Sequence, residues 1–159
     1  MPNWVSNSVV ISADPTTIKE IKQFVRGIDE SNDSFEFDFR KIVPQDPNVL
    51  DDSKAKNEDL PFIDWYSWNV QFWDTKWNAE DAYITDEGED FIQYHFDTAW
   101  YYPDNVFKTL SKIFPDAEIT VSVLEETIEF ALEMIYKGGK KISTIDNTEE
   151  MRKEYAEED

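Results

Sequence analysis

A chain of 159 residues that is 40% hydrophobic and 15% aromatic has room for one domain with a buried core, and that aromatic load excludes an acidic disordered chain. Asp and Glu total 35 against 15 Lys and Arg, so the net charge of −20 repels nucleic acid and anionic membranes and attracts basic partners. With no cysteine and a single histidine, His95, the chain excludes disulfides, thiolate metal sites, Cys nucleophiles and two-histidine metal motifs, and the expectation is of no cofactor and no metal.

Residues 4–12 predict a half-buried strand, because Val5, Val9 and Ile11 alternate with Ser6 and Ser8. Asp14-Pro15 then opens a helix, with a capping oxygen followed by a residue whose missing N–H costs nothing at the first helical position. Its apolar face is Ile18, Ile21, Phe24, Val25 and Ile28, with Gly27 near the end. Phe35-Glu36-Phe37-Asp38-Phe39-Arg40 predicts a strand with three rings on one side and charges on the other. Residues 44–61 are polar and proline-containing and read as a loop, whereas 65–73 is aromatic and strand-like.

Residues 82–85 and 91–98 flank Asp86-Glu87-Gly88-Glu89-Asp90, which predicts a hairpin whose tip is carboxylate and glycine. A second helix spans 103–114, with Val106, Phe107, Leu110 and Ile113 inward. Ile119, Val121 and Val123 alternate with Thr120, Ser122 and Leu124 as a strand. Ile128, Phe130, Leu132, Met134 and Tyr136 form another at the same period, and Lys137-Gly138-Gly139-Lys140 turns it into a return strand at 142–145. From Asn147 the chain reads as an acidic helix or tail. The order of elements gives an α+β class: a βαββαβ plan folded as a split βαβ antiparallel sheet, with helices on one face and extra hairpins. Residues 1–145 form the single domain, with inserted aromatic and acidic strands near 62–102, and 146–159 form the appendage. Neither a signal pattern nor an apolar run of about 18 residues is visible, so a cytoplasmic protein without a membrane span is expected.

Acidity is concentrated in the middle of the chain, where no Lys or Arg falls between Lys76 and Lys108. Carboxylates two apart on a strand, such as Glu36 with Asp38 or Glu87 with Glu89, would form rows spaced about 6.6 Å apart and could imitate a phosphate backbone. The run 86–90 lacks the ligand spacing of a calcium loop and reads as a solvated turn. His95 beside Asp97 is half of a catalytic pair, but no nucleophile accompanies it, so the expectation is of no enzyme. Lys137, Lys140 and Lys141 read as a solvated hairpin tip rather than an anion site. Trp73, Lys76, Trp77 and Trp100 could make an aromatic and cationic platform for a peptide or nucleotide.

Several segments carry a resemblance. Pro2-Asn3-Trp4-Val5-Ser6-Asn7-Ser8-Val9, F-D-F-R-K-I-V-P at 37–44, Trp73-Asp74-Thr75-Lys76-Trp77-Asn78-Ala79, Thr98-Ala99-Trp100 and Phe114-Pro115 resemble the YubB-like ferredoxin-like domain family of plasmids and phages. The likeness spans residues 2–140, with Val5, Phe72 and Asp74 departing from the family pattern. It implies a ferredoxin-like sheet and a mobile-element origin, and it implies no reaction.

Joined to the charge, it sets the functional expectation of a small accessory protein that binds the basic nucleic-acid-binding surface of a host protein and inhibits it. This DNA-mimic-like, anti-CRISPR or anti-restriction action would use Asp81, Asp86, Glu87, Glu89, Asp90 and Asp97. The protein would act in the host cytoplasm as a monomer or homodimer, without touching nucleic acid directly. The alternative is a ligand- or peptide-binding module built on Trp73, Lys76, Trp77 and Trp100, and a third reading is a hydrolase using His95.

Overall fold

Val5, Asn7, Val9 and Ile11 all lie on one side of β1 (Trp4–Ser12) and are fully buried, so this strand runs through the centre of the molecule. The structure, a computed structural model, describes residues 3–28, 34–50 and 63–157. After β1 come α1 (Pro15–Phe24), β2 (Gly27–Ile28), β3 (Ser34–Phe35), α2 (Phe39–Ile42), β4 (Val49–Leu50), β5 (Ile63–Asp64) and α3 (Trp65–Phe72). The second half holds β6 (Glu80–Glu87), β7 (Phe91–Ala99), α4 (Asp104–Ile113), β8 (Glu118–Glu125), β9 (Ala131–Lys137), β10 (Lys140–Asp146) and α5 (Thr148–Glu157).

Six strands form one antiparallel sheet in the order β10-β9-β8-β1-β7-β6. Along the chain, β1, α1, β6, β7, α4 and β8 make a βαββαβ unit whose strands stand as β8-β1-β7-β6, the ferredoxin-like arrangement. The β9–β10 hairpin extends the sheet beyond β8, and its turn glycines adopt φ of 61° at Gly138 and 86° at Gly139, the left-handed pair that a two-residue hairpin requires.

Helices α1 and α4 cover one face of this sheet. Ile18 and Ile21 of α1 and Val106, Phe107 and Leu110 of α4 join a single core with Ile92, Tyr94, Phe96, Ile119, Val121, Met134 and Tyr136. Asp14 caps α1 by accepting the Thr17 N–H at 2.9 Å, as the Asp-Pro pair predicts. Two residues expected on apolar helical faces fall outside them: Ile28, which has left the helix for β2, and Ile113, at the last position of α4, are both exposed. The opposite sheet face is polar, with Ser6, Ser8, Ser122, Gln93 and His95, and Met151 and Tyr155 of α5 lie against its β8 side.

Two predicted strands are helices or turns instead. Of 35–40 only Phe35 belongs to a strand, β3; Asp38 caps α2, its carboxylate accepting the Arg40 N–H at 3.0 Å while its own N–H donates to the Val25 carbonyl at 2.7 Å. That local bonding takes the backbone out of the ladder. The rings still reach the core, Phe37 at 4.9 Å from Phe96 and Phe39 at 5.7 Å from Trp73. The carboxylate row expected from Glu36 and Asp38 therefore does not form, because Asp38 is buried beneath Arg40 and Asn78. Residues 65–72 are helix α3, capped by Asp64, which accepts both the N–H and the hydroxyl of Ser67. The second strand of the βαββαβ plan is consequently β6, not 35–40. Ile128 and Phe130 precede β9 in a turn organised by the buried Glu125 carboxylate, which accepts from the Thr127 and Glu129 N–H groups, with Ile128 at φ 57°. Of the loop expected at 44–61, residues 51–61 lie outside the described residues.

Edge strand β6 is irregular: its register against β7 shifts between Glu80 and Tyr83 and again between Ile84 and Asp86, with Asp81 at φ 53°. Beside β9, the Asp104 carboxylate at the start of α4 accepts from the Tyr136 hydroxyl at 2.6 Å and pairs with Lys141 and Lys108, each at 3.0 Å. Burial pushes the Asp104 carboxyl up, but those three bonds outweigh it and hold it below the ordinary range. Asp38 and Glu125 follow the same pattern, burial being outweighed by bonds from Arg40 and Asn78 in one and from Thr127 and Glu129 in the other.

Two predictions arise here. A Cβ at Gly27 would stand 2.0 Å from Asp38 Oδ2, so Gly27→Ala should cost about 2 to 4 kcal/mol in urea unfolding; a loss under about 1 kcal/mol would show that Asp38 can yield. Carboxyls with lowered folded pKa values stabilise fully above the unfolded value of about 3.9 to 4.3, and that stability disappears as pH falls through the folded values. Thermal melting on acidification should therefore lose Tm below that range, and Asp104→Asn should flatten the loss; identical acid limbs would contradict the assignment.

Candidate functional site

The β6–β7 hairpin holds most of the acidic residues singled out from the sequence. Gly88 closes it, donating its N–H to the Phe91 carbonyl at 3.0 Å. Asp86, Glu87, Glu89 and Asp90 are all exposed around this tip, as expected. Asp86 accepts the Glu87 N–H at 2.9 Å, and Glu87 is paired with Lys22 of α1 at 2.9 Å. Glu89 lies in the turn rather than on a strand, so it forms no strand-spaced row with Glu87.

Asp81 and Asp97 belong to a different place. Asp97 pairs in register with Glu80 and Ser6 near the far end of β7, six residues from the turn, about 20 Å along the strand. Here Asp81, Glu80 and Asp97 make a second acidic group. Burial, followed by the Asp81 and Asp97 charges, raises the Glu80 carboxyl above its ordinary value. Glu80 was absent from the sequence-derived set; its signal was its place beside Asp81, where the strand begins. Asp81 also lines a surface groove of about 640 Å³ with Arg40, Trp77 and Asn78.

His95 and Asp97 do face the same side, with His95 Nε2 3.6 Å from Asp97 Oδ1 and the Tyr83 ring 5.4 Å from the imidazole. Their neighbours across β1 are Ser8 and Ser6, and Ser8 Oγ is engaged by the Gln93 amide at 3.1 Å. No group of three or more His, Asp and Glu side chains among the described residues is arranged to hold a metal. The described helices include none long and apolar enough to cross a membrane.

The aromatic set divides. Trp73 is core, not platform: it is buried against Phe39 and Trp68, and its indole N–H donates to the Val43 carbonyl at 2.9 Å. Lys76, Trp77 and Trp100 do come together, joined by Tyr66, which lies outside the predicted platform and reaches it because 65–72 is helical rather than extended. The Lys76 ammonium stands 4.5 Å from the Trp77 ring centroid and 4.9 Å from that of Trp100. Lys141, expected to be solvated at the β9–β10 tip, is instead turned inward to Asp104 and to the Tyr102 hydroxyl at 3.2 Å.

Core and surface tryptophans should separate in measurement. Trp73→Phe removes a buried indole and its hydrogen bond and should cost about 2 to 4 kcal/mol, whereas Trp100→Ala should cost under about 1.5 kcal/mol. Chemical unfolding of both variants checks this, and equal losses would return Trp73 to the surface set.

Comparison with known proteins bears on the fold. No curated protein matches the chain. The crystal structure of a protein Api92 from Yersinia pseudotuberculosis superposes with a TM-score of 0.63 at 9% identity, over 92% of this chain and 98% of that one. At that identity the likeness shows the fold alone. The ferredoxin-like sheet implied by the YubB-like resemblance is thus observed, and residues 72–159 match the family model described as the ferredoxin-like domain in Api92-like protein. That match runs from the end of α3 through the acidic hairpin to α5, and on it the chain belongs to the Api92-like family.

Proposed function

We propose that the chain is a non-catalytic docking protein whose acidic β6–β7 hairpin engages the basic nucleic-acid-binding face of a partner protein and blocks it. The observation that carries this reading is the tip itself: Asp86, Glu87, Glu89 and Asp90 all face solvent on an edge hairpin, and Lys22 is their one ion-pair partner among the described residues. A protein surface that normally displaces counterions from nucleic acid would meet comparable negative charge here, in a chain whose net charge of −20 steers cationic surfaces toward it. The group at Glu80, Asp81 and Asp97 extends the same potential along the hairpin. Anti-defence action in a host cytoplasm, as an accessory protein of a phage or plasmid, is the setting that the YubB-like resemblance suggests for such a device.

Exposed ion pairs contribute about 0 to 1 kcal/mol each, so single substitutions should be nearly silent. Changing Asp86, Glu87, Glu89 and Asp90 together to their amides should weaken binding to a basic DNA-binding protein, captured from the host at low salt, by about tenfold to a hundredfold. Duplex DNA should compete for the same partner. Retention of full affinity by the quadruple variant, or indifference to duplex DNA, would overturn the reading.

A further inference from the structure

Lys76 is the one Lys or Arg between Lys56 and Lys108, in the most acidic part of the chain, yet it forms no ion pair among the described residues. Its ammonium is instead placed among three rings, with centroids 4.5 Å away at Trp77, 4.9 Å at Trp100 and 5.8 Å at Tyr66. The walls are held independently of it. Trp77 packs on Trp4 and Tyr66 packs edge-on to Trp100, each at 6.0 Å. Trp100 keeps a left-handed φ of 70°, with its N–H donated to the Asn3 carbonyl at 2.8 Å. The Thr75 hydroxyl donates to the Ala99 carbonyl at 2.6 Å, pinning the loop that carries Lys76 and Trp77 to the turn that carries Trp100. Trp100 and Tyr66 are 42% and 38% exposed, so the ring cluster opens to solvent.

We infer that Tyr66, Trp77 and Trp100 form a binding cage for an alkylated ammonium group, and that Lys76 is its resident, displaceable occupant. The ligand class is read from the occupant: the rings already hold a tetrahedral cation on an alkyl stem. A primary ammonium is strongly hydrated, whereas a methylated one sheds water more readily and presents more surface to the ring faces, so it competes with a tethered lysine. The negative potential of the chain favours entry of any cation. This inference rests on the ring geometry and stands without the acidic hairpin.

Tetramethylammonium chloride titrated into the full chain tests it, read from the indole N–H resonances of Trp77 and Trp100, with sodium chloride at matched ionic strength as the blank. Lys76→Ala empties the cage while keeping the backbone carbonyl that accepts the Asn69 amide at 2.8 Å. It should bind saturably and about tenfold more tightly than the unsubstituted chain, where Lys76 competes. Adding Trp77→Ala should abolish the saturable shift at Trp100. Choline and a peptide bearing Nε-trimethyl-lysine separate the two sources of this chemistry: tighter binding of the peptide assigns a protein ligand, and tighter binding of choline a small molecule. The inference fails if Lys76→Ala shows no shift beyond the sodium blank, if the shift survives loss of Trp77, or if both chains bind equally.

Discussion

A single buried carboxylate ties the two halves of the chain together. Asp38 sits against Gly27 at the exit from α1, accepts the Arg40 guanidinium and backbone N–H, and accepts the Asn78 amide at 2.8 Å. Asn78 in turn accepts the N–H groups of Phe39 and Ala79, so the residues leading into β6 are clipped to the segment that follows α1. This clip holds the start of the second strand of the βαββαβ unit, while the exposed Lys22–Glu87 pair links the first helix to the strand's other end. Burying a charge is costly unless its bonds are complete, and here they are supplied by a cation, an amide and backbone.

Five of the 15 cations of this acidic chain are committed to specific contacts. Arg40 neutralises Asp38, Lys108 and Lys141 neutralise Asp104, Lys22 reaches Glu87, and Lys76 is given to three rings. Positive charge held at Asp38, Asp104 and the rings is unavailable to balance the outer carboxylates of the β6–β7 hairpin, where Lys22 alone among the described residues reaches one of them. The acidic exterior is thus a result of placement as well as of composition, because internal structure takes up part of a small supply of positive charge.

The parts of the fold legible in the sequence are those where one periodicity acts alone. Strands β1 and β8, helices α1 and α4, and both hairpins follow from alternation, capping and the diglycine turn. Legibility ends where a side chain captures its own backbone. Of three alternating phenylalanines, Phe35 stays in β3 while Asp38 takes Phe37 out of the strand and caps the helical turn that begins at Phe39, and Asp64 with Ser67 makes a helix of an aromatic run that reads as strand-like. The acidic hairpin tip was readable because its glycine and carboxylates are contiguous. The ring cluster was readable only in part, since Tyr66 joins Trp77 and Trp100 through a helix that the pattern did not reveal, while Trp73 is turned away by its bond to Val43.

The two register shifts along β6 have a bearing on molecular recognition. Antiparallel pairing with an incoming segment needs several evenly spaced amide and carbonyl groups, and the shifts beside Tyr83 and Asp86 interrupt that spacing. Flanking carboxylates add charge repulsion against another acidic strand, a common guard against sheet-to-sheet aggregation. A molecule arriving at this edge is therefore read by side chains rather than by main-chain zippering, so specificity there can change by surface substitution while the sheet beneath keeps its form.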